Sequence, residues 1–109
     1  MKMEQLLLSI KKILDCSEEC YAHISANGNE KETLCAHTEL SQKYWIRIFR
    51  KKHIHAIVEK FEKEYLGPIS NEAKLLFETM LMNIITFHDF GKVNPKFQKK
   101  KWEMYFCQN

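Results

Sequence analysis

A chain of 109 residues carrying seven Phe, four Tyr and two Trp has room for one domain and enough apolar side chains to fill its core. That composition excludes a disordered or low-complexity chain, and only three Gly and two Pro favour long regular elements over many turns. A formal charge of +3 is too mild to mark a nucleic-acid binder by itself, so where the cations sit matters more than their number.

The opening run, MKMEQLLLSIKKILD, interrupts its apolar stretch with lysines, which argues against a secretory signal or a membrane span. Leu6, Leu7, Ile10 and Leu14 recur at helical spacing and predict a first helix from Glu4 to Cys16. The stretch SEECYAHISANGNEKET is polar, holds Gly28 between two Asn, and reads as a loop. With no secretory context, Cys16, Cys20, Cys35 and Cys107 are expected as reduced thiols in a cytoplasm. Cys16, Cys20 and His23 imitate a zinc cluster, but no second Cys or Cys/His pair completes the spacing.

Thr33 is a plausible cap for a second helix running through LCAHTELSQKYWIRIFRKK, with Leu34, His37, Ser41, Tyr44 and Ile48 on one stripe that Trp45 and Phe49 widen. A third helix, His53 to Tyr65, carries Ile54, Ile57, Val58 and Phe61. Nothing between the two breaks the pattern, so one long bent helix is the alternative to two separate ones there. Ser70 caps a fourth helix, and AKLLFETMLMNIITF is apolar on most faces, as in a helix central to its bundle. Gly91 suits a left-handed helix terminus, and Pro95 opens a last short helical piece. No strand pattern occurs, and the fold class predicted is all-α. If the apolar fourth helix lacks cover, the chain should expose apolar surface and self-associate.

The segment NIITFHDFGKVNPKFQ places His88 and Asp89 side by side at the end of that helix. The pair reads in three ways: a surface accident, a hydrogen-bonded couple, or two ligands of one metal ion. Adjacent residues in mid-helix point about 100° apart, but at a helix end both can reach one target. Imidazole and carboxylate suit a divalent first-row metal, and a second His gives the two-His-one-carboxylate pattern with open positions. His37, on the apolar stripe of the second helix, is the best third ligand; a core histidine satisfied by a backbone carbonyl is the alternative, and the residues alone leave both open. Two runs, RIFRKKHIH (Arg47 to His55) and PKFQKKKW (Pro95 to Trp102), interleave cations with aromatics as single-strand DNA grooves do. The alternative for each is a solvated helix face. Lys96, Lys99, Lys100 and Lys101 are the nucleic-acid candidates.

HDFGK joined to NPKFQ, with LCAHTEL upstream, resembles the HD superfamily of metal-dependent phosphohydrolases. More narrowly, the order of Tyr21-Ala22-His23, Leu34 to His37, His88 to Lys92 and Phe97-Gln98 is similar to the HD nuclease domain of the CRISPR-associated helicase-nuclease of type I systems. The resemblance implies an HD-like helical bundle in which His37, His88 and Asp89 ligate metal, Asp89 and Lys92 serve catalysis, and Lys92 stabilises charge on a scissile phosphate. It implies one or two divalent ions (Mn, Fe, Co or Ni, with Mg as an option) and hydrolysis of single-stranded DNA supplied by a helicase domain and a CRISPR targeting complex. HD domains of that family run to roughly 200 residues and supply further His and a distal Asp, within the usual size of a helical domain. Here no His or Asp follows Asp89, so residues 1–109 are expected to be the N-terminal portion of one such domain, and cleavage by this portion alone is in question. Two other classes stand beside the nuclease: an HD phosphohydrolase of nucleotides, and a non-catalytic helical relic.

Overall fold

Eighteen consecutive residues after Thr33 form the longest element of the computed structural model, which describes residues 3–25 and 30–99. This helix, α2 (Leu34–Lys51), starts where expected because Thr33 has extended backbone and its hydroxyl accepts the Ala36 N–H at 3.1 Å. α3 (Ile54–Phe61) follows and widens into a π turn at Glu62–Leu66, closed by Gly67 at φ +56°. α4 (Asn71–Met82) is capped by Ser70, whose Oγ accepts the Ala73 N–H at 3.1 Å. α5 (Ile84–Phe87) leads into a 3-10 turn at Phe90–Val93, and residues 95–99 are helical again. The fold is all-α in character, with one small sheet.

That sheet corrects the expected loop. β1 (Tyr21–Ile24) pairs antiparallel with β2 (Lys31–Thr33). Ala22 and Ile24 are buried while His23 points out, the two-residue alternation of a half-buried strand, but seven strand residues are too few to stand out among polar neighbours. The first helix is also corrected. The stretch splits into a 3-10 turn at Met3–Leu6, a short α1 (Ile10–Ile13) and a 3-10 turn at Asp15–Glu18. Tertiary contacts compete for its backbone: the buried Asn83 side chain accepts the Leu8 N–H at 2.9 Å and donates to the Leu6 carbonyl at 2.8 Å. Gln42 holds the Leu8 carbonyl at 2.8 Å.

α2 and α3 are two helices rather than one bent one. His53 lies in the left-handed region (φ 51°, ψ 42°), a conformation His adopts more readily than most side chains, and it turns the chain between them. Gly91 is corrected too: it sits inside the right-handed 3-10 turn, and the positive-φ glycine among the described residues is Gly67.

Met3, Phe49, Val58 and Met82 form the main core, with Leu6, Leu7, Trp45, Ile54, Phe77 and Leu81 packed on it. A second cluster, Cys20, Ala22 and Leu34 with Leu14 and Val93, fixes the hairpin against the start of α2 and the segment after α5. The expected inward stripe of α2 is rotated: Leu34, Cys35, Thr38 and Phe49 are buried, whereas Tyr44 and Ile48 are about half exposed. α4 is not enclosed on all sides either, since Leu76 and Met80, with Ile84 at the start of α5, are each more than 60% exposed. The molecule measures 58 × 26 × 21 Å. Its radius of gyration is 17.6 Å, where a compact domain of this length has about 13 Å. Among the described residues no helix is long and apolar enough to cross a membrane.

Candidate metal centre

Three elements meet at one end of α2. His37 stands one turn into that helix, just after the hairpin, while His88 and Asp89 follow α5 directly. Asn83 interrupts α4 (φ −98°, ψ 7°) and its carbonyl accepts the Phe87 N–H, so the last turn before His88 is separately anchored. One ligand atom from each of His37, His88 and Asp89 lies within 4.8 Å of the other two. His37 Nε2 is 2.7 Å and His88 Nε2 2.9 Å from Asp89 Oδ2.

The proton positions follow from the outer partners. His37 Nδ1 is 2.8 Å from Glu32 Oε1, and His88 Nδ1 bonds the Ile85 carbonyl. Both partners only accept, so each neutral ring carries its proton on Nδ1 and aims an Nε2 lone pair inward. In that neutral tautomer two lone pairs face a carboxylate oxygen. Asp89 Oδ2 is buried and has no hydrogen-bond donor, despite its short contacts to both rings. Three acceptors converging without a donor repel one another unless a cation stands among them. Ligand atoms about 2.1 Å from one ion and at right angles lie about 3 Å apart, close to the two separations found here. The group His37, His88 and Asp89 can hold a metal ion, and the Glu32–His37 pair is the usual outer support of a ligating imidazole.

Lys92 stands beside the centre. Its Nζ is 3.2 Å from Asp89 Oδ1 and 3.5 Å from the Ala22 carbonyl. Gln98 ties the same segment to the hairpin: its amide accepts the Tyr21 N–H at 2.8 Å and donates to the Tyr21 carbonyl at 3.1 Å and to the Lys92 carbonyl. Tyr21, Ala22, His37, His88, Asp89, Lys92 and Gln98 thus gather around one site. His23 faces outward. Lys96 and Lys99 are exposed on the piece that follows, whereas Lys100 and Lys101 lie outside the described residues.

Sequence reasoning missed Glu32, Asn83 and Thr86. Glu32 sits in a charged run that looks solvated, and only its position five residues before His37 hints at a role. Asn83 and Thr86 are fully buried and bonded at 3.0 Å, and Gln42 donates to Thr86 at 2.8 Å, linking α2 to α5 behind the metal ligands. The zinc alternative involving Cys20 gains nothing: among the described residues the metal-competent group is the His37, His88 and Asp89 set alone. Cys20 and Cys35 are buried and not joined in a disulfide, and burial, seconded by Glu39, pushes the Cys35 thiol up, keeping it protonated.

A scan against protein-family models finds no match, and comparisons with curated proteins and with solved structures likewise give none.

Proposed function

We propose that the chain is a metal-dependent phosphodiesterase of the HD type acting on single-stranded DNA. The observation that carries this reading is the convergence of His37, His88 and Asp89, from distant parts of the chain, on one donor-free point. When bound there, a divalent ion such as Mn, Fe, Co or Ni lowers the pKa of a ligated water and polarises a phosphoryl oxygen. Glu32 and the Ile85 carbonyl hold the two imidazoles in the ligating tautomer. Lys92 offers a cation within reach of the same point, suited to charge that develops on a phosphate. The side chains of His37 and His88 are 29% and 37% exposed, so the site is open, and an open site suits a strand better than a nucleotide that must have its base enclosed.

The motif order HDFGK, NPKFQ and LCAHTEL supports extending the reading to the DNA strand supplied by a helicase motor and targeting complex in CRISPR defence. The exposed apolar row on α4 supports extending it to self-association.

The test combines metal analysis with cleavage assays. Purified protein should hold a transition metal stoichiometrically and cut a labelled single strand, and His88→Ala or Asp89→Ala should lower both by at least about 100-fold. Lys92→Ala should keep the metal and lose cleavage by roughly 100-fold. Hydrolysis of free nucleotides without DNA cleavage would move the reading to a nucleotide phosphohydrolase. Absence of bound metal after loading with each candidate ion would reject the enzyme altogether.

A further inference from the structure

The outward side of α2 carries a second pattern that the metal centre does not use. Residues 43–52, KYWIRIFRKK, hold five cations and no carboxylate, while the whole chain is only +3, so the remainder is net negative. Helical spacing sorts the exposed and half-buried residues into two neighbouring rows, His37 and Ser41 being the half-buried ones. His37, Ser41, Tyr44 and Ile48 form one, and Leu40, Lys43, Arg47 and Lys51 the other. The Arg47 guanidinium lies 5.5 Å from the centre of the Tyr44 ring, and Tyr44 is 51% exposed. A shallow cleft of about 550 Å³ is lined by Lys43, Ile46, Arg47, Arg50 and Lys51.

A bland explanation exists for part of this charge. Arg50, Lys51 and Lys52 suit the negative end of the helix dipole, and Arg50 is paired with Glu4. It does not reach Lys43 and Arg47, which lie mid-helix. Among the described residues no carboxylate pairs with Lys43, Arg47 or Lys51. The first row also begins at His37, a metal-competent residue. From there to Lys51 the helix rises about 21 Å.

We propose that this face of α2 is a track for single-stranded nucleic acid, leading along the helix to the His37 end. Phosphates lie along Lys43, Arg47 and Lys51, and bases stack on Tyr44 beside the Ile48 side chain. A lipid surface is the poorer fit, because the main apolar face of α2 (Leu34, Phe49) is spent in the core. The inference rests on the nuclease reading for the kind of strand, but its test does not require catalysis.

Anisotropy of a labelled 20-nucleotide oligothymidylate would be measured with the full chain in excess chelator, across a salt series. The double variant Lys43→Gln/Arg47→Gln should bind at least tenfold more weakly, with the salt slope reduced by about 1.4, two contacts at roughly 0.7 each. Tyr44→Ala should weaken binding about fivefold or more, and Tyr44→Phe should restore it, because the ring is what stacks. The control Lys60→Gln/Lys63→Gln removes equal charge from α3 and the following turn and should stay within about twofold of the parent. Equal losses in the control, or tighter binding to vesicles of anionic phospholipid than to the oligonucleotide, would overturn the track. Intact binding with cleavage lost in Asp89→Ala leaves the track standing and tests the centre; unchanged binding in the double variant sinks the track and leaves the centre untouched.

Discussion

Glu32 decides which nitrogen of His37 is free. Its carboxylate, 2.8 Å from Nδ1, holds the proton there and orients Nε2 toward Asp89 and His88. Glu32→Gln keeps the shape but weakens that hold, so metal affinity, read by competition with a chromogenic chelator, should fall by about 10- to 100-fold. Asn83 works behind the site. It takes the Leu8 N–H and the Thr86 hydroxyl and donates to the Leu6 and Thr79 carbonyls, all while fully buried. Asn83→Ala leaves several of these groups without partners and should cost about 2–4 kcal/mol in urea denaturation. His37, His88 and Asp89 were legible in the sequence because ligand chemistry restricts residue type. Glu32 and Asn83 were not, because their roles are set by what the fold brings to them, and nothing in their neighbours' polarity hints at it.

At the scale of elements, capping chemistry was legible and interruptions were not. Thr33 and Ser70 announce α2 and α4 because a cap is local. The breaks at Asn83 and His53 and the dismantled first helix answer to distant partners or to a backbone state that the apolar period does not encode. The π turn after α3 gives a measurable case. Glu62 is buried there with one carboxylate oxygen unpartnered, and burial first, then Glu78, push its pKa up, with Lys74 opposing and Glu59 adding to the rise. A carboxyl raised in the folded state favours folding while protonated. Its contribution is complete below the ordinary value of 4.5 and is lost as pH climbs through the raised value. Glu62→Gln should therefore melt a few degrees above the parent at pH 7, and the gap should close as the pH falls below 4.5.

The whole molecule is long and open on one flank. Leu76, Met80 and Ile84 recur every four residues along α4 and α5 and remain more than 60% exposed, and Ile57 and Tyr65 add to the apolar surface on α3 and its π turn. Apolar area of that kind associates. Sedimentation velocity should show mass rising with concentration, and Leu76→Glu/Met80→Glu should return the chain to one small species. The all-α class was legible from the composition and the 3.6-residue period. The open flank was legible only as a conditional, because an all-round apolar helix looks the same in sequence whether it is covered or not.

The two histidines of the centre stand about fifty residues apart, and an ion held by both closes that length of chain into a loop. Occupancy thereby becomes part of the folding equilibrium. Once the site is saturated, each tenfold rise in free metal should add about 1.4 kcal/mol to the stability. The thermal midpoint should climb with the logarithm of metal concentration, return to its lower value with a chelator, and stay flat in His88→Ala. An ion that acts as a clasp between the two halves lets metal supply govern how long the folded chain survives, apart from any bond it helps to break.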